Sequence, residues 1–182
     1  MRNYILICLT SLLSLNCSPE EVQQNYLDLT FNLINQEGII TSEFENGAQP
    51  IFNLQIVNNS KEDVFLVSDN LNDENVFEVF STTQLNENSD PVSFGKPFKN
   101  AGCYYIGGYH IKSGDIFSIK LPWIPEENET SNYPSILCNY NFSNDSLRQG
   151  VYSTSLDVQF GFQIGKNTVS KAIQKEITFS IN

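Results

Sequence analysis

Residues 150–162 read Gly150-Val151-Tyr152-Ser153-Thr154-Ser155-Leu156-Asp157-Val158-Gln159-Phe160-Gly161-Phe162. Tyr152, Thr154, Leu156, Val158, Phe160 and Phe162 fall on every second position, and the residues between them are mostly polar or small. Side chains alternate faces along a strand, so this run predicts a β-strand with one buried face. The same alternation recurs at Leu27-Leu29-Phe31-Leu33, Phe52-Leu54-Ile56, Phe117-Ile119-Leu121 and Ile177-Phe179-Ile181. Val64 to Val67, Val76 to Phe80 and Tyr104 to Ile106 are shorter apolar runs. Together these give about eight strands, by the usual pattern of runs bounded by turn residues. Turn chemistry separates them at Asn58-Asn59-Ser60-Lys61, Ser113-Gly114-Asp115 and Gln149-Gly150. Thr168 to Lys175 reads as one helical turn or a hairpin connection. The expected fold is all-β, an antiparallel β-sandwich.

Composition agrees with a packed domain. The chain has 182 residues, 40% apolar and 12% aromatic, with a formal charge of −11. That content of aromatics argues against disorder. That excess of acid argues against nucleic acid as a partner, because phosphate repels it.

Met1-Arg2 followed by the apolar stretch Tyr4 to Leu15 forms a charged start and a short hydrophobic core. A bilayer span needs about 20 residues, so this stretch reads as a secretory leader. By residues alone, an ordinary signal peptide cut near Asn16 or Ser18 fits. Leu15-Asn16-Cys17-Ser18 resembles the lipobox of bacterial lipoproteins. That resemblance implies a leader at 1–16, lipidation of Cys17, and a membrane partner reached through the N-terminal lipid anchor. Residues 17–25 then form an acidic tether, and 26–182 a single domain. Ser18 after the cysteine implies the outer membrane, at its periplasmic or cell-surface face. Glu20-Glu21 reads either as a surface-export signal or as ordinary solvated linker.

Cys8 lies within the leader, which leaves Cys103 and Cys138 in the domain. Two thiols outside the cytosol usually pair. Closing a loop of about 36 residues is worth roughly 4 kcal/mol by chain-entropy arithmetic. No metal site is expected: there is one histidine, His110, and no C-x-x-C. Asp69-Asn70-Leu71-Asn72-Asp73-Glu74 is acidic enough to attract calcium but departs from the EF-hand pattern at Leu71 and lacks its glycine. A nucleophile needs a neighbouring base, and His110 is the sole histidine for that role. No G-x-S-x-G is present and no cofactor motif stands out, so no catalytic residues and no cofactor are expected.

The aromatics between Phe94 and Phe142 either fill the sandwich or form a binding platform. Tyr105, Tyr109, Trp123 and Tyr133 are the candidates for such a surface. Trp123 leads them because Pro122 and Pro125 hold its segment extended. The stretch 121–147, with no Lys or Arg, reads as a long exposed loop. Leu147-x-x-Gly150-x-Tyr152 matches a tyrosine corner, in which a Tyr hydroxyl bonds back to upstream backbone.

Gly47-Ala-Gln-Pro-Ile-Phe-Asn-Leu-Gln-Ile-Val-Asn-Asn-Ser-Lys-Glu-Asp-Val64, with Ser113-Gly114-Asp115 and Gly150-Val151-Tyr152, resembles the strand and turn set of bacterial Ig-like domains. The BsuPI-like proteinase inhibitor family carries that set, and the resemblance spans about 47–160. It implies an Ig-like sandwich of about seven to nine strands, Greek-key in type, and carries over no functional residue. Two functions follow as expectations. The first is a non-enzymatic envelope lipoprotein, a binding or scaffolding module for an extracytoplasmic protein or glycan. The second is a protease inhibitor of the BsuPI-like type, with 122–147 as its loop.

Overall fold

A computed structural model describes residues 26–68, 76–82, 91–97, 99–100, 109–124, 140–141 and 145–182. They contain twelve strands: β1 (Leu27–Ile34), β2 (Glu43–Phe44), β3 (Ile51–Asn58), β4 (Val64–Ser68), β5 (Val79–Ser81), β6 (Ser93–Gly95), β7 (Lys99–Asn100), β8 (Tyr109–Ile111), β9 (Ile116–Pro122), β10 (Tyr140–Asn141), β11 (Gly150–Ile164) and β12 (Asn167–Ile181). One sheet runs β1-β3-β9 and the larger one runs β2-β12-β11-β4-β8, with β5 and β6 continuing from the lower half of β11. β7 and β10 form a separate ribbon. The protein is an antiparallel β-sandwich of the Ig-like, Greek-key type, and β3 to β4 is a crossover between its sheets.

The alternating runs became the strands that face each other. In the small sheet, Phe31 lies opposite Leu54, and Leu54 opposite Ile119, so one face of three strands is continuously apolar. In the large sheet, Tyr152, Leu156, Val158, Phe160 and Phe162 are all buried. Phe31, Phe52 and Phe77 meet at ring-centroid distances of 5.3 to 6.3 Å. Burying side chains of this size contributes about 1.5–3 kcal/mol each.

Two local expectations are corrected. Thr168 to Lys175 is neither a helical turn nor a connection. It is the body of β12, whose fifteen residues pair one for one with β11. The connection is Gly165-Lys166, where Gly165 takes φ 57 at the first central position of a two-residue hairpin loop. Val76 and Phe77 are not strand either. They form a turn before β5, and Phe77 reaches the core from a left-handed backbone at φ 60. The count exceeds eight because short strands such as β2, β6 and β8 pair along the margins without enough residues to show a period. The run Tyr104 to Ile106 lies outside the described residues.

Candidate functional site

The turn after β3 is a hydrogen-bonded hub. Asn58, fully buried, donates from Nδ2 to the carbonyls of Glu62 (2.9 Å) and Ile111 (3.0 Å). Its Oδ1 accepts the Ser60 N–H at 3.0 Å, and the Ser60 hydroxyl oxygen lies 2.6 Å from both that Oδ1 and the Glu62 carbonyl. Its main chain binds the Ser113-Gly114-Asp115 turn in both directions: Asn58 N–H donates to Asp115, and Gly114 N–H donates to Asn58. Ser113 Oγ closes the set by donating to the Ser60 carbonyl at 2.6 Å. Two turns that stand out separately in the sequence are thus one joint, locking the small sheet to the large one. An asparagine suits this place because its amide supplies two donors and an acceptor without charge.

His110 sits beside this joint on β8, its Nε2 2.9 Å from Asp63 Oδ2 and its ring over Phe65 at 4.8 Å. The other oxygen of Asp63 accepts the Ser113 N–H. The carboxylate therefore orients the imidazole, while the nearby Ser113 hydroxyl is committed to a backbone carbonyl. Among the described residues no group of three His, Cys, Asp or Glu side chains could hold a metal ion.

Of the four aromatics named for a binding surface, Trp123 and Tyr109 lie among the described residues. Trp123 is 1% exposed, its ring 6.3 Å from Phe52 and its Nε1 donating to the Asp145 carbonyl at 2.9 Å. Its segment is extended, as Pro122 suggests, but the Trp123 N–H donates to the Pro50 carbonyl, which draws the segment in beside β3. The indole faces inward, and the start of the 122–147 stretch is core rather than a displayed loop. Tyr109 is half-buried against Phe117, with ring centroids 4.8 Å apart. Tyr105 and Tyr133 lie outside the described residues, as do Cys17, the pair Cys103 and Cys138, and the acidic run 69–74.

The tyrosine corner is present. Tyr152 OH donates to the Arg148 carbonyl at 2.7 Å, and its ring stacks on Phe179 at 5.5 Å. Burial pushes its pKa above the ordinary value, against the lowering effects of the Arg148 carbonyl bond and the Arg148 charge. A raised pKa favours the protonated, folded form, so this contribution is complete below the ordinary tyrosine value of about 10 and disappears as pH rises through the higher folded value. Tyr152→Phe is expected to cost about 1 kcal/mol at pH 7, from the lost bond. In urea melts from pH 8 to 11 the variant should lose less stability than the wild type at the alkaline end. Parallel losses in the two proteins would contradict this.

One side of β12 is an open strand edge. Its inner edge is fully paired with β11. On its outer edge only Ser180 and Ile181 pair, with β2, and among the described residues no strand pairs with 167–178 there. Ser180 N–H donates to the Ser42 carbonyl on that outer side. Ladder bonds alternate along an antiparallel strand, so the N–H and C=O groups of Ser170, Ala172, Gln174, Glu176 and Thr178 project outward as those of Ser180 do. A concavity flanks each end of this edge. Near Asn167 and Val169, a cleft of about 400 Å³ is walled by Tyr26, Asn59, Lys61 and Glu62. Near residues 175–178, an open groove of about 560 Å³ has Leu33, Ile40 and Glu43 on its far wall. Sequence inspection misses this edge, since pairing is invisible in a strand's own residues.

No protein-family model matches the chain, and no curated protein matches it either. Among solved structures it is similar to an ASH / PapD-like domain of human CEP192, PapD-like domain 7, at 9% identity and a TM-score of 0.40. That alignment covers 87% of this chain and 86% of that one. It is also similar to part of a beta-glucosidase from Listeria innocua in complex with gluconolactone, at 12% identity and a TM-score of 0.30. There the cover is 85% of this chain and 16% of that one.

Proposed function

We propose that this chain is a non-enzymatic, lipid-anchored binding or scaffolding module, held at the outer membrane through Cys17 and working outside the cytoplasm. The observation that supports a binding role is the long unpaired edge of β12 with a concavity at either end. Exposed strand edges present unpaired backbone groups with which another chain can pair. The leader and the lipobox-like Cys17 support the anchor. An acyl chain alone gives reversible attachment, and a bacterial lipoprotein with several acyl chains is held firmly.

The anchor is tested by intact mass and membrane partition of the chain expressed with its own leader, beside Cys17→Ala. A lipid-sized mass gain in the membrane fraction, abolished by the substitution, is the expected result. An unlipidated soluble product from the wild type would remove the anchor from the proposal. The binding role is tested separately by passing envelope extract over the immobilised protein, where repeated failure to retain any protein or glycan would count against it.

A further inference from the structure

We propose that the outer edge of β12 takes an added strand: an extended peptide segment in which acidic and apolar side chains alternate. The inference rests on the binding-module reading and names the partner's chemistry and its mode of attachment. Five consecutive outward-facing residues, Ser170 to Thr178 in steps of two, present backbone donors and acceptors along about 27 Å of strand, at roughly 3.4 Å per residue. Strand addition uses such a row for affinity and the side chains beside it for choice of partner.

The side chains beside it are distinctive. Lys171 lies opposite Phe160, Ile173 opposite Val158, Lys175 opposite Leu156 and Ile177 opposite Thr154, so all four share the face that the core residues of β11 occupy. Ile173 and Ile177 pack against the core margin, while Lys175 is exposed. A strand laid along this edge places every second side chain next to that series, at cross-strand distances of about 4.5–5.5 Å. Acid is favoured beside the exposed Lys175 and an apolar group beside the two isoleucines. The groove at 175–178 has Ile40, Glu43 and Glu176 on its walls, so an apolar side chain and not an acid suits that end of the added strand.

The same charges disfavour a second copy of this chain in the register centred on Ile173. Residues 166–178 hold three of the ten basic residues of a chain whose net charge is −11 and one acid, Glu176, which falls on the opposite face from Lys171 and Lys175. Antiparallel pairing of β12 with itself about Ile173 sets Lys171 beside Lys175 twice, and like charges directly opposite are unfavourable. Inward-pointing lysines are a known guard against edge-to-edge association. Here they also select a partner of opposite charge.

The test uses the purified full chain and two synthetic nine-residue peptides, one alternating Val and Glu, the other Val and Lys. The Val–Glu peptide is expected to bind at least tenfold more tightly and to slow amide exchange within 170–178. Ala172→Pro removes an outward N–H while leaving the β11 ladder intact, so it should weaken binding at least tenfold. Lys175→Glu, an exchange at an exposed position, should invert the preference between the peptides and covers the case in which the proline variant does not fold. Absence of Val–Glu binding at millimolar concentration overturns the proposal. So does binding that neither variant changes, protection elsewhere in the chain, or a wild-type dimer that Ala172→Pro dissociates. Peptide failure together with retained envelope partners would overturn the edge alone and leave the binding-module reading standing.

Discussion

Asn58→Ala will destabilise the domain by about 3 kcal/mol, or prevent its accumulation, because truncation strips hydrogen bonds from several groups at once and each buried unsatisfied group costs about 1–3 kcal/mol. The Ile111 carbonyl loses its side-chain donor at a residue only 2% exposed, and the Ser60 N–H loses its acceptor. Asn58→Asp separates this account from simple loss of packing. It preserves volume but turns the donor that faces the Glu62 and Ile111 carbonyls into an acceptor, so oxygen confronts oxygen. The aspartate variant should therefore be no more stable than the alanine variant at pH 7. Urea unfolding followed by tryptophan fluorescence measures both, since Trp123 is buried when folded. An aspartate variant close to wild type would show that shape, not hydrogen bonding, holds the joint.

Phe77→Ala is the second large effect, with an expected loss of about 3–5 kcal/mol for a large ring removed from a packed interior. Phe77 is fully buried and touches both Phe31 and Phe52. Its backbone adds a signature that packing alone does not produce. At φ 60 a residue with a Cβ is in the left-handed region, which costs roughly 1–2 kcal/mol relative to the right-handed one. Glycine has no such penalty there, so Phe77→Gly should be less damaging than Phe77→Ala by about 1 kcal/mol, the reverse of the usual order in regular structure. Equal or greater loss in the glycine variant, by the same urea assay, would show that the left-handed backbone stores no strain. The carbonyl of Ser155 accepts the Phe77 N–H at 3.0 Å and ties the turn to β11.

The strands that form the two facing sheets were legible wherever alternation was unbroken. Leu27 to Leu33, Phe52 to Ile56 and Tyr152 to Phe162 were read with the correct face inward. The tyrosine corner was legible too, because its partner is four residues away. Of β12 only the end, Ile177 to Ile181, was legible, and the reason is chemical. Lys171 and Lys175 occupy inward positions of an edge strand, so the apolar period that marks a strand is interrupted by the residues that protect its edge. Trp123 was misread because prolines report an extended backbone, not which way the ring beside them points. Val76 and Phe77 looked like strand because hydrophobicity alone does not distinguish a strand from a buried turn.

Sequence by itself determined the alternating pattern, hence the all-β class, and placed Asn, Ser and Gly where the chain reverses. These are local properties, set by backbone geometry within a few residues. Tertiary structure decided everything that depends on distant partners. Asn58 finds the Ile111 carbonyl 53 residues away, and Gln49 exchanges hydrogen bonds with the backbone of Leu147 across 98. It also decided that Trp123 is core and that β12 is an edge, since whether a strand has one neighbour or two is a property of the sheet and not of the strand.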